Sequence, residues 1–214
     1  SYPYSNVGSA KFLTFELAWL DCRLLLAWGR IGAMWLNRVQ QWDEETASKL
    51  LLKDTQSSLK ELASFFAHSG DSWFVLLALF FIWLFTRGMW HHLVAVMAAG
   101  TIPLALFVFV VKFLIKRRRP EGEWGAIYRN ADPHSFPSGH AARTSMLSVI
   151  AFSIGPLWLG VSLSIWTLLV CLARVSMGGH YPVDVIVGIL LGLLAGVVVL
   201  QLAPWMTSVF PMLF

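Results

Sequence analysis

The chain has 214 residues, 57% of them hydrophobic and 13% charged, with a mean hydropathy of +0.66 and a formal net charge of +4. A soluble domain carries roughly 25% charged residues, so this composition excludes an ordinary water-soluble domain and indicates one integral membrane domain. The basic excess does not indicate nucleic-acid binding, because much of it lies in one run, "KRRR" at 116–119, beside an apolar span. That setting suits phosphate or lipid headgroups.

In chain order, the opening "SYPYSNVGSA" lacks a basic n-region and an apolar h-region, so no cleavable signal peptide is expected. Residues 10–40 are apolar but carry Glu16, Asp21, Arg23 and Arg30. At about 100° per residue, Glu16, Arg23 and Arg30 stack on one face. That stripe predicts an amphipathic helix in the membrane interface; a spanning helix with its polar face turned inward is the alternative. Residues 42–71 read as a polar connector with amphipathic helical character. The expected division is therefore an interfacial region over 1–71 and a membrane domain over 72–214.

Five spanning segments follow, at 73–87, 92–115 (with Pro103 a predicted kink), 140–155, 157–175 and 183–202. Gly188, Gly192 and Gly196 recur every fourth position and give the last span a smooth face for close packing. The tail 204–214 is apolar and expected along the membrane surface. Eleven Trp and fifteen Phe suit interfacial belts and lipid-facing surfaces. Cys22 and Cys171 lie far apart in apolar segments and read as packing residues, not a disulfide framework. The fold class is all-α: a multi-pass membrane helix bundle of five to six spans with an N-terminal amphipathic helical region.

Chain direction alternates at each span. The end of 92–115, the start of 140–155, the end of 157–175 and the start of 183–202 must share one side. Those ends carry Lys112 to Pro120, Ser138 to His140, Arg174, and His180 to Asp184. Ionisable groups gathered at span ends are functional candidates.

Three clusters result. Lys112 to Arg119 offers ammonium and guanidinium groups able to bind a multiply charged anion; a membrane-anchoring basic flank is the alternative. Pro137-Ser138-Gly139 before a helix offers backbone N–H groups, a hydroxyl and a positive dipole end, with His140 in the first turn; a plain N-cap is the alternative. In "RVSMGGHYPVD", Arg174 adds a cation, and His180 and Asp184 lie four apart, sharing a face if helical. A carboxylate on one imidazole nitrogen leaves the other as nucleophile or base. Two His and an Asp could also ligate a metal, but the surrounding cations oppose one and favour an anionic substrate. Ser138 as nucleophile lacks the Gly-x-Ser-x-Gly elbow.

Lys112-x6-Arg119-Pro120, Pro137-Ser138-Gly139-His140 and Arg174-x5-His180-x3-Asp184 together resemble the three-part signature of the type 2 phosphatidic acid phosphatase superfamily. The motifs cover 112–184 in the right order; Ala173 stands where the family usually has Ser. The resemblance implies that His180 attacks phosphorus to give a phosphohistidine, that Asp184 orients His180, and that His140 protonates the leaving oxygen and then activates water. It implies that Lys112, Arg119, Ser138, Gly139 and Arg174 hold the phosphoryl oxygens, with no metal and no cofactor. Within the family, "KRRRP…SFPSGHAARTSMLSV" is most similar to the polyisoprenoid diphosphate phosphatase branch, so the expected substrate is a polyprenyl diphosphate such as undecaprenyl diphosphate. Phosphatidylglycerophosphate, phosphatidate and lipid A phosphates are the alternatives, as are a phosphotransferase using the same site and a catalytically idle lipid-binding protein. The expected setting is a bacterial cytoplasmic membrane with the site facing the extracytoplasmic side. Only residues 141–173 lie between His140 and Arg174, yet the chain must cross and return. Each pass is then roughly 24 Å of helix against a core of about 30 Å, which places the reactive ends near headgroup level.

Overall fold

The computed structural model describes residues 34–52, 57–120 and 132–214. The interfacial helix expected over 10–40 falls outside them except for 34–40, and so does Cys22. The chain divides into two compact units, Ser1–Asp43 and Glu44–Phe214. The first contributes the opening residues of a helix over 34–50, α1. The second carries α2 (Ser57–Ser69), α3 (Ser72–Phe85), α4 (Met89–Ile115), α5 (Gly139–Ile154), α6 (Leu157–Ser176) and α7 (Pro182–Val209). Among the described residues there is no strand, only one isolated antiparallel bridge between Arg118 and His134.

Three helices, α4, α6 and α7, are long and apolar enough to cross a membrane; α2 and α3, bent by 63° at their break, make a fourth if they count as one span. The helices at two of the predicted spans fall short by length. At about 1.5 Å per residue, the 14 residues of α3 and the 16 of α5 reach only some 21 and 24 Å. Pro103 sits inside a continuous α4. The expected surface tail is shorter than predicted, because α7 runs on through Pro204 to Val209. The last residues turn back, with the Trp83 indole donating to the Leu213 carbonyl at 2.8 Å.

α5 is the centre of the bundle and packs against α4, α6 and α7. Its inward residues, among them Ala142, Met146 and Ile150, are fully buried with Leu93 and Val96 of α4. Leu114, Phe85 and Leu157, 76, 78 and 72% exposed, belong to the outer apolar surface that lipid would cover. In lipid, apolar burial does not drive helices together, so association rests on close packing. Gly188 and Gly192 supply it. A Cβ at Gly188 would stand 2.6 Å from the Ser138 carbonyl oxygen, and one at Gly192 2.1 Å from that of Ala142. α7 therefore lies backbone to backbone on the N-terminal half of α5, the half that carries His140.

Candidate active site

α4 ends by a local rule. Lys116 takes the left-handed conformation, φ 53, and its N–H bonds the Lys112 carbonyl at 2.9 Å. The chain then runs without helix to Pro120, and the segment from Asp132 pairs with it through the bridge at His134 and the Ser135 N–H to the Arg117 carbonyl at 2.9 Å. This pairing brings the basic run beside the Pro-Ser-Gly-His turn. The run splits by face. Lys112 and Arg119 are 6% and 5% exposed, whereas Lys116 and Arg118 face outward. Membrane anchoring suits the outward pair; the inward pair points into the cluster at the helix ends.

Ser138 is the N-cap of α5, its hydroxyl accepting from the Ala141 N–H at 3.4 Å. Its own N–H donates to the Asp184 carbonyl at 2.9 Å, which ties the start of α5 to the first turn of α7. Arg174, 2% exposed, lies in the last turn of α6. Its carbonyl accepts the N–H groups of Gly179 and His180 at 3.0 and 3.2 Å. Gly178, at φ +69, makes the reversal that a side chain would strain.

His180 lies in that turn, because α7 begins only at Pro182. The predicted shared helix face is thus replaced by a turn that folds His180 back over Asp184. His180 Nδ1 is 3.8 Å from Asp184 Oδ2, longer than a hydrogen bond; such contacts are often loose before substrate binds. His180 Nε2 faces the Arg119 Nη1 at 3.5 Å. Asp184 is fully buried. Its Oδ2 accepts the Tyr181 N–H at 2.9 Å, and its Oδ1 accepts from Arg117 at 2.6 Å. The Arg117 guanidinium also lies over the Tyr181 ring, 4.3 Å from its centre. Burial, then the charges of Arg174, Arg119 and Lys112, hold the His180 imidazole well below its ordinary value of 6.5, opposed by the Ser135 backbone. It is therefore a neutral base with a nitrogen turned to a cation.

Sequence reasoning missed a carboxylate among these cations. Asp132 accepts from Lys112 and, through Oδ2, from Arg119 at 2.8 Å, while its carbonyl accepts from Arg119 Nε at 2.7 Å. Arg119 is fixed further by donating to the Gly179 carbonyl at 2.6 Å. An oxyanion thus already sits on the donor pair expected for phosphate. Lys112, Asp132, Gly139 and Arg143 share a cavity of about 300 Å³ with Leu104, Val108 and Phe109 of α4, so the polar end continues into an apolar wall. A larger cavity of about 530 Å³, bounded by α2 to α6, has no Lys or Arg in its lining. Arg117, Asp71 and Arg143 were also missed; Arg117 stands inside the basic run, and Asp71 and Arg143 lie outside the three motifs.

All eight expected residues, Lys112, Arg119, Ser138, Gly139, His140, Arg174, His180 and Asp184, lie at the same end of the bundle, on the ends of α4 to α7 and the turns that adjoin them. Fold and site together define an integral membrane helix bundle with a cluster of cations and two histidines at one end. The chain belongs to the PAP2 superfamily, whose sequence profile matches residues 88–208, more than half of its length. It is 35% identical over 107 residues to a decaprenylphosphoryl-5-phosphoribose phosphatase of Mycobacterium tuberculosis, covering 49% of this chain and 58% of that protein. It is 42% identical over 59 residues to an undecaprenyl-diphosphatase of Sulfolobus acidocaldarius, covering 28% and 29%. The chain thus matches less than two thirds of these relatives' lengths. Among solved structures, it is similar to a transmembrane PAP2-type phosphatidylglycerolphosphate phosphatase from Bacillus subtilis, with a TM-score of 0.63, 26% identity, and coverage of 77% of this chain and 86% of the other.

Proposed function

We propose that this protein hydrolyses a membrane lipid phosphate or diphosphate through a covalent histidine intermediate. The observation that carries the reading is His180: a buried, neutral imidazole with a carboxylate near Nδ1 and Nε2 turned to Arg119. The Nε2 lone pair attacks phosphorus and the bond to the leaving oxygen breaks. His140 gives that oxygen a proton. His140 then takes a proton from water as the water oxygen attacks, the P–N bond breaks, and phosphate leaves with His180 restored. Lys112, Arg119, Ser138, Gly139 and Arg174 hold the phosphoryl oxygens. These fixed cations and backbone dipoles meet the charge that develops in the transition state, so no metal is required. Asp184 keeps the His180 proton on Nδ1, and Arg117 holds the Asp184 carboxylate in place.

The preferred substrate is a polyprenyl diphosphate. Both curated relatives named above act on prenyl carriers by their names, and the apolar wall of the Lys112 cavity suits a chain emerging from the phosphate. Phosphatidylglycerophosphate is the second reading, supported by the name of the structural relative. The chain crosses five times in this reading, with α2–α3 as one bent pass and α5 as a short pass that leaves the reactive ends near headgroup level. The site faces the extracytoplasmic side, and a cysteine at Arg87 in intact cells would be labelled only from the cytoplasm.

Phosphate release from purified protein is measured on polyprenyl diphosphate, polyprenyl phosphate, phosphatidate, phosphatidylglycerophosphate and lipid A, with and without chelator. Fastest release from the prenyl diphosphate, at the same rate with chelator, is the expected result. Chelator-killed activity restored by a divalent ion refutes the metal-independent mechanism. Product that forms only when an alcohol acceptor is added makes the protein a phosphotransferase.

A further inference from the structure

The break between α2 and α3 carries a carboxylate to which the mechanism above gives no role. Asp71 is the N-cap of α3, yet its side chain makes no cap hydrogen bond. A capping Asp normally accepts a helix N–H, worth about 1 kcal/mol. Here Oδ1 lies 2.7 Å from His140 Nε2, and Oδ2 lies 3.2 Å from His68 Nδ1. The turn is fastened over His140 from two helices. Arg143 of α5 donates to the Gly70 carbonyl and the Ser72 hydroxyl, and Trp166 of α6 donates to the Ser69 hydroxyl at 2.8 Å. A Cβ on Gly70 would stand 3.1 Å from His140 Cδ2, so the imidazole edge packs on the turn itself.

We propose that Asp71 is a positioning residue for His140, forming a second carboxylate–histidine pair that mirrors Asp184 and His180. With Nε2 bonded to Asp71, Nδ1 is the nitrogen left to serve the leaving oxygen and then the water. For the proton that the first step consumes, the carboxylate counters burial of the imidazole and the cations facing it, Arg174 on α6 and Arg143 on its own helix. His68, 46% exposed, holds the other carboxylate oxygen at the surface side. The proposal rests on the phosphoryl-transfer reading above.

The test compares two phosphate monoesters on the full chain in detergent. Dodecyl phosphate loses an alkoxide and needs the acid; p-nitrophenyl phosphate loses a phenoxide and hardly does. General acid–base catalysis contributes about 10² to 10⁴-fold, so Asp71→Asn is expected to lower kcat/KM, which reports the phosphorylation step and not the shared hydrolysis of the intermediate, about 10- to 100-fold on the alkyl ester. On the aryl ester the loss in kcat/KM should be about threefold or less. The basic limb of the alkyl kcat/KM profile should move to lower pH. Asp71→Glu restores the charge and is expected to recover part of the alkyl rate. His140→Ala should show the same leaving-group split, deeper. Equal losses on both esters for Asp71→Asn, or no loss, while His140→Ala keeps the split, overturn the Asp71 proposal alone. Absence of the split in His140→Ala overturns the acid role of His140 and the proposal with it.

Discussion

Gly192→Ala tests whether the site depends on the contact between α5 and α7. The added Cβ would stand 2.1 Å from the Ala142 carbonyl oxygen and 2.9 Å from Ser145 Cβ. Ordinary C···O contacts are about 3.3 Å or longer, so α7 must retreat by about 1 Å, because the opposing atoms are helix backbone and cannot rotate away. Gly192 lies eight residues from Asp184, about 12 Å along the helix, and the Ser138-to-Asp184 backbone bond at 2.9 Å is in the path of that shift. Overpacking of this kind costs about 1–3 kcal/mol, and a misplacement of about 1 Å costs on the order of 10²-fold in rate. Phosphate release and thermal unfolding are compared with Leu194→Ala, a change 62% exposed on the same helix. Gly192→Ala is expected to lose about two orders of magnitude in rate and to melt lower, with Leu194→Ala near wild type. Rates within about threefold of wild type and unchanged melting would refute the packing argument.

The pH dependence follows from His180. Its folded value is held below 6.5, whereas in the unfolded chain it is near that figure, so the unfolded state binds the proton more readily. Stability from keeping His180 neutral is full above 6.5 and is lost as pH falls through the folded value. The nucleophile likewise stays unprotonated below 6.5, so the acid limb of kcat/KM should lie below that pH; a limb at or above it contradicts the electrostatic account. Asp132→Asn removes the negative charge resting on Lys112 and Arg119. Inorganic phosphate or vanadate is then expected to inhibit more tightly, by several-fold, and an unchanged or weaker inhibition constant would show that Asp132 does not compete for those cations.

The three motifs were legible because each needs particular residue types at fixed spacing, and alternation of span direction alone placed them together. The details that escaped depend on where helices begin and end. Spacing of four suggested a shared helix face for His180 and Asp184, but Pro182 starts the helix after His180. Helical periodicity could not sort the basic run, because the left-handed Lys116 ends the helix before it, and Arg117 then turns to Asp184 while Arg118 turns out. Asp71 before "SWF" reads as a helix cap, and only the bend between α2 and α3 redirects it to His140. Asp132 lies in an aperiodic connector 20 residues from Lys112, with no local signal for the ion pair. Hydropathy marked the apolar segments of α3 and α5, but it reports apolarity and not helix length, so neither the bend from α2 into α3 nor the shortness of α5 was legible.

The central claim is that phosphorus becomes bonded to His180. Protein mixed with lipid carrying labelled terminal phosphate is quenched in base within one turnover and digested. Acid-labile, base-stable label on the peptide containing His180, accumulating further in His140→Ala, absent from His180→Gln and unaffected by chelator, is the predicted result. Turnover by His180→Gln, or label bound to no residue during steady turnover, would contradict it.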